Sequence, residues 1–429
     1  MIFPSQSEPF SPHAVSKSAR TLLYVEPEAD GHHLALYAGC IWEKMVAEGW
    51  RIVWLTSIHA VRSEIAVKLI AHLGDKLEVR TYDIAGVPKS GGRPWAWLRY
   101  QLQHRRMLNS VLPELTRNGK IDCIFMPWLN YCDRVCGLLG LPPVDVPICA
   151  LHMHISVHEP LAEDASWLNR ISRAITLRTM ARLYGQPKLK TVAAILESFV
   201  EYAQTTRTTG WQKLRYIPDV GSLEDLPPRE ESRKSYAIAP GETVVLVFGA
   251  MSKRKGVGVL LHAVTNIKGG SPLVVVLAGK QDAEVKAQVV EFERSTLGKS
   301  ARLVVHDSFV NSVDERRLFS AADIVWVGYP GFLGSSGVLT QAGCAGLPVV
   351  AGLQGDIGRA VLRSECGLTC NLANADEVVA ALATLANDRG LAARLGKNGK
   401  DRSRRHSPAI FAANIYELIQ LATAPAPLL

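Results

Sequence analysis

The 429-residue chain is long enough for two or three domains, and its 48% hydrophobic and 21% charged residues are typical of a globular protein. No apolar run reaches the roughly 18 residues of a transmembrane helix, and the polar first 20 residues lack the apolar core of a signal peptide. The eight cysteines include no Cys-x-x-Cys pair, which favours reduced thiols in a cytoplasm over a zinc site. The net charge of +8 favours an acidic partner, and charge alone leaves nucleotides, anionic lipid and nucleic acid open.

Short β-rich runs alternate with helical patterns through the first half of the chain. The predicted strands are 21–25, 51–56, 77–80, 121–126, 146–151 and 191–196. The predicted helices are 34–47, 64–72, 95–116, 167–183 and one that begins at 197. This alternation predicts an α/β domain with a mostly parallel sheet.

Prolines and turn formers cluster between residues 216 and 228, which predicts an inter-domain linker there. The chain restarts at 243–248 with a continuous apolar run, as expected of a central parallel strand. The further predicted strands are 273–278, 303–306, 322–327, 346–350 and 368–371. The further predicted helices are 257–267, 283–297, 313–321, 338–345, 375–386, 391–405 and 407–421.

These elements predict two doubly wound, Rossmann-like α/β domains that face each other. The predicted divisions are a loose tail at 1–20, an N-terminal domain at 21–215, a linker at 216–235, a C-terminal domain at 236–405, and a last helix within 406–429 that packs back on the N-terminal domain. Ligands of such sheets bind at the carboxyl ends of the strands, so a site is expected in the cleft between the domains.

A glycine- and serine-rich turn within 328–337 joins a predicted strand to a helix of small residues. The turn contains Gly334, Ser335, Ser336 and Gly337, and Val338 begins the helix. Free backbone N–H groups at such a helix N-terminus form an anion site that suits a diphosphate. In the alternative interpretation the turn binds no ligand and Ser336 only caps the helix.

Residues 240–405 resemble the donor domain of family-4-type glycosyltransferases with the GT-B fold, the group called glycosyl transferases group 1. Phe248-Gly249 followed by Lys255-Gly256 matches their strand, loop and Lys-Gly step, and 323–351 matches their nucleotide-sugar region. The resemblance implies transfer of a sugar from a nucleoside diphosphate sugar, with retention and without a metal. It implies no cofactor besides this donor substrate.

The chain departs from the family pattern at three positions. The family's Glu-x7-Glu pair falls on Leu333 and Gln341, and the arginine of its phosphate loop falls on Ala250. The amide of Gln341 is still able to bind ribose hydroxyls, but Leu333 cannot replace a carboxylate that contacts the donor sugar. Lys253 and Arg254 are the candidates for the missing positive charge.

Lys255 is the candidate for stabilising the leaving group. Cleavage of the sugar–phosphate bond leaves negative charge on the nucleotide, which an enzyme without a metal must neutralise with cations and helix N-termini. In the alternative interpretation, Lys255 is a solvated lysine in a basic turn.

Histidines follow two predicted strands of the N-terminal domain. Gly31, His32 and His33 occupy the first βα turn, which in the resembled family faces the donor phosphates and the acceptor. His152 and His154 follow a later strand, where the resemblance implies a histidine that contacts the donor sugar. The alternatives are a solvent-exposed histidine at the helix start and a histidine that serves the core.

Retention without a carboxylate nucleophile implies a front-face substitution, in which the leaving phosphate takes the acceptor proton. The protein would then act by positioning and charge stabilisation. Glu28, Asp30 and Asp133 are the candidate bases or acceptor contacts, and His158 is a further histidine of the cleft.

The functional hypothesis is a glycosyltransferase acting on a glycan or lipid-linked acceptor in polysaccharide or glycolipid synthesis. The aromatic and basic stretch 93–106 suits a peripheral contact with an anionic membrane, or else a partly buried helix with a basic outer face. The rival hypotheses are a nucleotide-sugar epimerase, which expects a pair of carboxylates, and a non-catalytic sugar-nucleotide binder. No recognised module indicates nucleic acid.

Overall fold

Two parallel sheets, one in each half of the chain, form the framework of the fold. The computed structural model describes residues 19–29, 33–84, 94–118, 120–153, 155–161, 165–206, 208–221, 223–267, 272–294 and 301–424. The first sheet has the order β3-β2-β1-β4-β5-β6-β7 and the second the order β10-β9-β8-β11-β12-β13. Every neighbouring pair of strands in both sheets is parallel.

The strands of the first sheet are β1 Thr21–Val25, β2 Arg51–Ser57, β3 Leu77–Tyr82, β4 Cys123–Met126, β5 Ile148–His152, β6 Leu189–Ala194 and β7 Leu214–Tyr216. Those of the second are β8 Thr243–Phe248, β9 Leu273–Ala278, β10 Ala301–His306, β11 Ile324–Val327, β12 Val349–Gly352 and β13 Gly367–Cys370.

The helices of the first half are α1 Gly39–Ala47, α2 Ile58–Val61, α3 Glu64–Leu73, α4 Pro94–Asn118, α5 Asp133–Leu139, α6 Trp167–Gly185 and α7 Glu197–Thr205. A π-helical stretch, His33–Ala38, leads into α1. The helices of the second half are α8 Arg229–Ser235, α9 Val257–Asn266, α10 Ala283–Arg294, α11 Ser312–Ala321, α12 Gly337–Ala345, α13 Gly355–Ser364, α14 Ala375–Asn387, α15 Arg389–Ser403 and α16 Pro408–Thr423.

The predicted α/β class with two Rossmann-like domains is confirmed. In the first sheet the strand order reverses between β1 and β4, and in the second between β8 and β11. Ligands of open α/β sheets bind at these reversal points, outside the carboxyl ends of the strands. The central strand β8 is apolar because helices cover both faces of its sheet, and every residue from Thr243 to Val247 is buried.

Four helices are absent from the sequence prediction, namely α2, α5, α8 and α13. Helix α5 is short, and α13 contains Gly355 and Gly358 directly after Gly352, a glycine pattern that is typical of a loop. Tertiary packing forms α13 nevertheless, because Ile357 and Val361 are buried on one of its faces. The predicted linker includes α8, which packs against α11. Arg233 of α8 forms a 2.6 Å ion pair with Asp323, just before β11.

The last helix, α16, lies against the first sheet although it follows the second in sequence. It contacts α1, β4, β5 and β6, and Phe411, Ile415 and Ile419 are fully buried in the first core. Of the predicted N-terminal tail, only residues 19 and 20 are described. None of the described helices is both long and apolar enough to cross a membrane. All eight cysteines are free thiols, and six of them are buried.

We expect Phe411→Ala to lower the free energy of unfolding by about 3–5 kcal/mol, because it removes a fully buried ring and leaves a cavity. The matched control is Ile410→Ala, one residue away, where the side chain is 42% exposed. Urea unfolding followed by circular dichroism measures both. Equal losses in the two variants would contradict the placement of α16 in the first core.

Candidate functional site

A cavity lies between the two sheets and is lined from both of them. The first half of the chain contributes residues that follow β6 and β7, among them Ser198, Tyr216 and Asp219. The second half contributes residues that follow β11 and β12, among them Ser335, Ser336, Asp356 and Arg359, and the chain that returns after α15 adds Arg402 and His406. The cavity thus adjoins the carboxyl ends of strands in both sheets, where a ligand is expected.

The N-terminus of α12 borders this cavity. Ser336 has an extended backbone with φ of −136° and precedes Gly337, the first residue of the helix. Among the described residues, no hydrogen bond engages the N–H groups of Ser336, Gly337 and Val338. The nine-residue helix therefore presents a row of free donors and the positive end of its dipole beside Ser335. Binding of an anion at this terminus stays a prediction, and Gly334 is half-buried in the loop that leads to it.

Lys255 is buried next to this helix terminus, with only 4% of its surface exposed. Its Nζ donates to the carbonyl of Phe248 and to the hydroxyl of Tyr329, both at 2.8 Å. The hydroxyl of Tyr329 is in turn 3.5 Å from Ser336 Oγ. A chain of polar contacts thus connects Lys255 with the N-terminus of α12, and the alternative of a solvated lysine is wrong.

Two glycines beside Lys255 have the positive φ that favours glycine. A Cβ atom at Gly249, where φ is 94°, would lie 3.4 Å from Lys255 Nζ. A Cβ atom at Gly256, where φ is 63°, would lie 2.3 Å from the carbonyl oxygen of Gly328, a distance at which the two strand-end loops would collide. The Phe-Gly and Lys-Gly steps of the sequence therefore have a packing role in addition to any contact with a ligand.

Arg254 and Lys253 point to different places. The guanidinium of Arg254 lies 4.7 Å from the ring centre of Phe332 and 5.5 Å from that of Tyr329, on the loop that leads to α12. The ammonium of Lys253 lies 3.6 Å from Glu284, and its side chain is 84% exposed. Of the two candidates for the missing positive charge, Arg254 is the one close to the anion site, while Ala250 is exposed.

Leu333 and Gln341, the two departures of the sequence near this loop, have protein partners. The carbonyl of Leu333 accepts a 3.1 Å hydrogen bond from the backbone N–H of Asp356. The amide of Gln341 donates to Glu315 on α11. Burial raises the pKa of Glu315, although the hydrogen bond from Gln341 acts in the opposite direction. Binding of ribose by Gln341 stays a prediction.

His33 lies over an aromatic surface in the first half. Its ring stacks on Trp128 at 4.2 Å between ring centres, and its Nδ1 is 3.0 Å from the fully buried carboxylate of Glu26. The other oxygen of Glu26 accepts a 2.9 Å hydrogen bond from the N–H of Glu28. His33 is therefore held by protein contacts. Asp30, Gly31 and His32 lie outside the described residues.

His152 is enclosed in the first domain. Its Nδ1 is 2.7 Å from Tyr184 Oη and its Nε2 is 3.1 Å from Asp133, and only 1% of the residue is exposed. It does not line the cavity between the sheets, and its contacts are those of a core histidine. Asp133 also accepts a 2.7 Å hydrogen bond from Gln101. His154 lies outside the described residues.

A polar bridge crosses the cleft, and sequence reasoning did not find it. Arg359 of α13 forms a two-pronged ion pair with Glu159, one arm of which is 3.0 Å, and His158 lies 3.1 Å from the same carboxylate. Burial opposes the ionised carboxylate, but the hydrogen bonds from His158 and Arg359 outweigh it and lower the pKa of Glu159 to about 2. The general rule that the carboxyl ends of strands line the cleft was the sole indication, from sequence, that the region after β12 belongs to the site.

A second set of contacts joins the segment between α15 and α16 to the segment that follows β7. Asp219 accepts a 2.6 Å hydrogen bond from Tyr37 Oη, and its backbone carbonyl is 2.6 Å from His406 Nδ1. Burial lowers the pKa of His406 to about 4, so the neutral imidazole is the form present at neutral pH. Nδ1 therefore carries the proton that is donated to Asp219.

Part of the chain is similar in sequence to known proteins. Residues 228–402 match the profile of the family described as Glycosyl transferases group 1. The D-inositol 3-phosphate glycosyltransferase of Corynebacterium kroppenstedtii is 28% identical over 208 residues, which are 46% of this chain and 45% of that protein. The corresponding protein of Corynebacterium glutamicum strain R is 29% identical over 200 residues, 46% of this chain and 47% of that protein. The matched segment thus spans about half the length of these curated relatives.

Solved structures resemble the whole described chain. Sucrose-phosphate synthase from Thermosynechococcus elongatus has a TM-score of 0.68 at 17% identity, with 94% of this chain and 98% of that chain covered. WaaG, a glycosyltransferase involved in lipopolysaccharide biosynthesis, has a TM-score of 0.63 at 14% identity, covering 94% and 100%. Anabaena HepE in complex with UDP and glucose has a TM-score of 0.62 at 16% identity, covering 94% and 99%. These likenesses confirm the GT-B fold.

We expect His104 to make the fold sensitive to acid. Burial lowers its pKa to about 3 from an ordinary 6.5, because the ring is enclosed and stacked on Tyr100. Below pH 6.5 the unfolded chain binds a proton that the folded chain excludes, so stability is lost as the pH falls from 6.5 towards 3. In His104→Phe the melting temperature should fall less steeply with decreasing pH than in the wild type. The exposed His262→Phe is the control, and equal slopes in all three proteins would contradict this role.

Proposed function

We propose, on the premise that residues 228–402 are a glycosyl transferases group 1 domain within a GT-B fold, that the protein is a glycosyltransferase. It would move a sugar from a nucleoside diphosphate sugar to a glycan or lipid-linked acceptor, in polysaccharide or glycolipid biosynthesis. The observation that carries the proposal is the open N-terminus of α12 beside the buried ammonium of Lys255.

This arrangement suits the diphosphate of the donor. The N–H groups of Ser336, Gly337 and Val338 would donate to phosphate oxygens, and the dipole of α12 would favour their negative charge. Lys255 and Arg254 add two cations, and both lie against Tyr329. Charge that develops on the leaving nucleotide would thus meet donors already fixed in place, so the protein need not reorganise during the reaction.

The proposed reaction retains the sugar's configuration and uses no metal or cofactor. The acceptor hydroxyl would attack from the face that the diphosphate leaves, and the departing phosphate would take its proton. The N-terminal domain would position the acceptor near His33. The half-buried ring of Trp128, with which His33 stacks, suits the apolar face of a sugar ring.

Helix α6 supports a peripheral contact with an anionic membrane, where a lipid-linked acceptor would be met. Trp167, Leu168, Ile171 and Ile175 form a stripe on one side of this helix and are 67%, 58%, 48% and 55% exposed. The helix contains four arginines and no acidic residue. Exposed apolar side chains next to arginines are typical of helices that lie in the membrane interface.

Helix α4 has a smaller part in this surface than its sequence suggested. Tyr100, Gln101 and His104 are buried, as in the alternative of a partly buried helix. Trp95 at its first turn is 76% exposed. We propose that α6 makes the membrane contact and that the protein acts in the cytoplasm at the inner face of the membrane.

We expect one nucleoside diphosphate among UDP, GDP, ADP and dTDP to raise the melting temperature, and EDTA to leave the increase unchanged, because a ligand of the native state stabilises it. Lys255→Ala should weaken this binding by roughly 10-fold or more, since it removes a charge-assisted contact. Lys253→Ala is the matched control, because that side chain is 84% exposed and lies near Glu284.

A second candidate function is a non-catalytic sugar-nucleotide subunit, which the leucine at position 333 favours. Binding of a nucleoside diphosphate without sugar transfer or donor hydrolysis would support that candidate. If no nucleoside diphosphate stabilised the protein, the proposed donor site would be wrong.

We expect the protein to sediment with vesicles that contain phosphatidylglycerol and not with vesicles of phosphatidylcholine alone. Trp167→Ser combined with Ile171→Ser should weaken this binding by roughly 10-fold or more, because both apolar side chains lose their contact with lipid. The matched control combines Val67→Ser with Leu421→Ser, which are 57% and 56% exposed on other helices. Equal losses in the two double variants would argue against α6 as the membrane surface.

A further inference from the structure

Asp356 places a carboxylate in the cleft beside the anion site. It belongs to the first turn of α13, directly after β12, and its backbone N–H donates to the carbonyl of Leu333. The residue is 9% exposed and lines the cavity together with Ser335 and Ser336. A carboxylate therefore lies next to the loop in which position 333 holds a leucine.

This carboxylate has one side-chain hydrogen bond and capacity for more. Asp356 Oδ1 accepts from Ser198 Oγ at 2.9 Å, across the cleft. An ionised carboxylate accepts about four hydrogen bonds, and it donates none. Among the described residues no ion pair joins Asp356 to a cation, although Arg359 and Arg402 line the same cavity and their charges favour its ionised form. Its chemistry thus favours a ligand that supplies hydrogen-bond donors.

His406 adds a second acceptor to the same cavity. Its Nδ1 donates to the carbonyl of Asp219, which leaves a lone pair on Nε2. The residue is 1% exposed, and Nε2 is buried without a hydrogen-bond partner among the described residues. A buried acceptor without a partner is costly, so a donor from a ligand would stabilise this arrangement.

We propose that Asp356 and His406 bind hydroxyl groups of the sugar that the donor carries. Hydroxyl groups are the donors that a carboxylate and a neutral imidazole both accept. The sugar of a nucleoside diphosphate sugar is attached directly to the diphosphate, and this cavity adjoins the proposed diphosphate site at Ser335 and Ser336. The proposal rests on the proposed function. Asp356 would supply the carboxylate for the donor sugar that Leu333 cannot provide.

The test compares each nucleoside diphosphate with its sugar conjugate by titration calorimetry, using UDP with UDP-glucose, GDP with GDP-mannose, ADP with ADP-glucose and dTDP with dTDP-glucose. For the pair that the wild type binds, we take the ratio of the dissociation constant of the nucleoside diphosphate to that of its sugar conjugate. This ratio measures how much the sugar adds to the affinity. We expect Asp356→Ala to reduce this ratio roughly 10-fold, because it removes a hydrogen bond to a charged group. Binding of the nucleoside diphosphate alone should change little. His406→Phe, which keeps an aromatic ring, should reduce the ratio less.

Two further variants separate sugar binding from a structural role. Asp376→Ala alters an exposed aspartate in the first turn of α14 and should leave both constants unchanged. Ser198→Ala removes the hydrogen bond across the cleft but keeps the carboxylate, so the ratio should persist. If Ser198→Ala reduced the ratio as much as Asp356→Ala does, the proposal would be overturned. Asp356 would then act by holding the domains together.

Two remaining outcomes distinguish failure of the sugar subsite from failure of the donor site. If the wild type binds a nucleoside diphosphate but Asp356→Ala keeps the full ratio, or if no conjugate binds more tightly than its nucleotide, the sugar subsite is wrong while the donor site stands. If the wild type binds none of the nucleotides, the proposed function fails and this inference fails with it.

Discussion

The ion pair between Arg359 and Glu159 is a central contact of the cleft, and the ion pairs of Arg363 with Glu197 and Glu201 support it. It joins α13, at the carboxyl end of the second sheet, to the segment that follows β5 in the first. Glu159 is buried, so removal of the arginine would leave its charge with His158 as the remaining partner in a poorly solvated place, which costs more than a surface ion pair contributes. Arg359 also donates a 3.2 Å hydrogen bond to Ser198 Oγ, the hydroxyl that donates to Asp356.

Three short loops at the strand ends of the second sheet form its side of the site, and they contact one another. Lys255, after β8, reaches Tyr329, after β11, and the backbone carbonyl of Lys255 accepts a 2.9 Å hydrogen bond from the indole of Trp326. The loop after β12 fixes Leu333 through the N–H of Asp356. The N-terminus of α12 is thus positioned by neighbours on both sides, and preorganised donors of this kind stabilise developing charge effectively.

Periodic patterns in the sequence were sufficient for the two-domain fold, because apolar runs such as 243–248 depend only on burial. The turn at 334–337 was also visible, since glycine and serine have local reasons to be there. The bridge from Glu159 to Arg359 was not visible, because the two residues are 200 positions apart and nothing local marks either of them. The surroundings of His152 depend in the same way on Tyr184 and Asp133, which no short motif connects to it.

The central claim is that the N-terminus of α12 and Lys255 bind the diphosphate of a sugar nucleotide. A crystal structure of the protein with the nucleoside diphosphate that it binds most tightly tests this claim most directly. The account predicts phosphate oxygens within hydrogen-bond distance of the N–H groups of Gly337 and Val338, with Lys255 and Tyr329 beside them. A nucleotide bound elsewhere, with this helix terminus left unengaged, would contradict it.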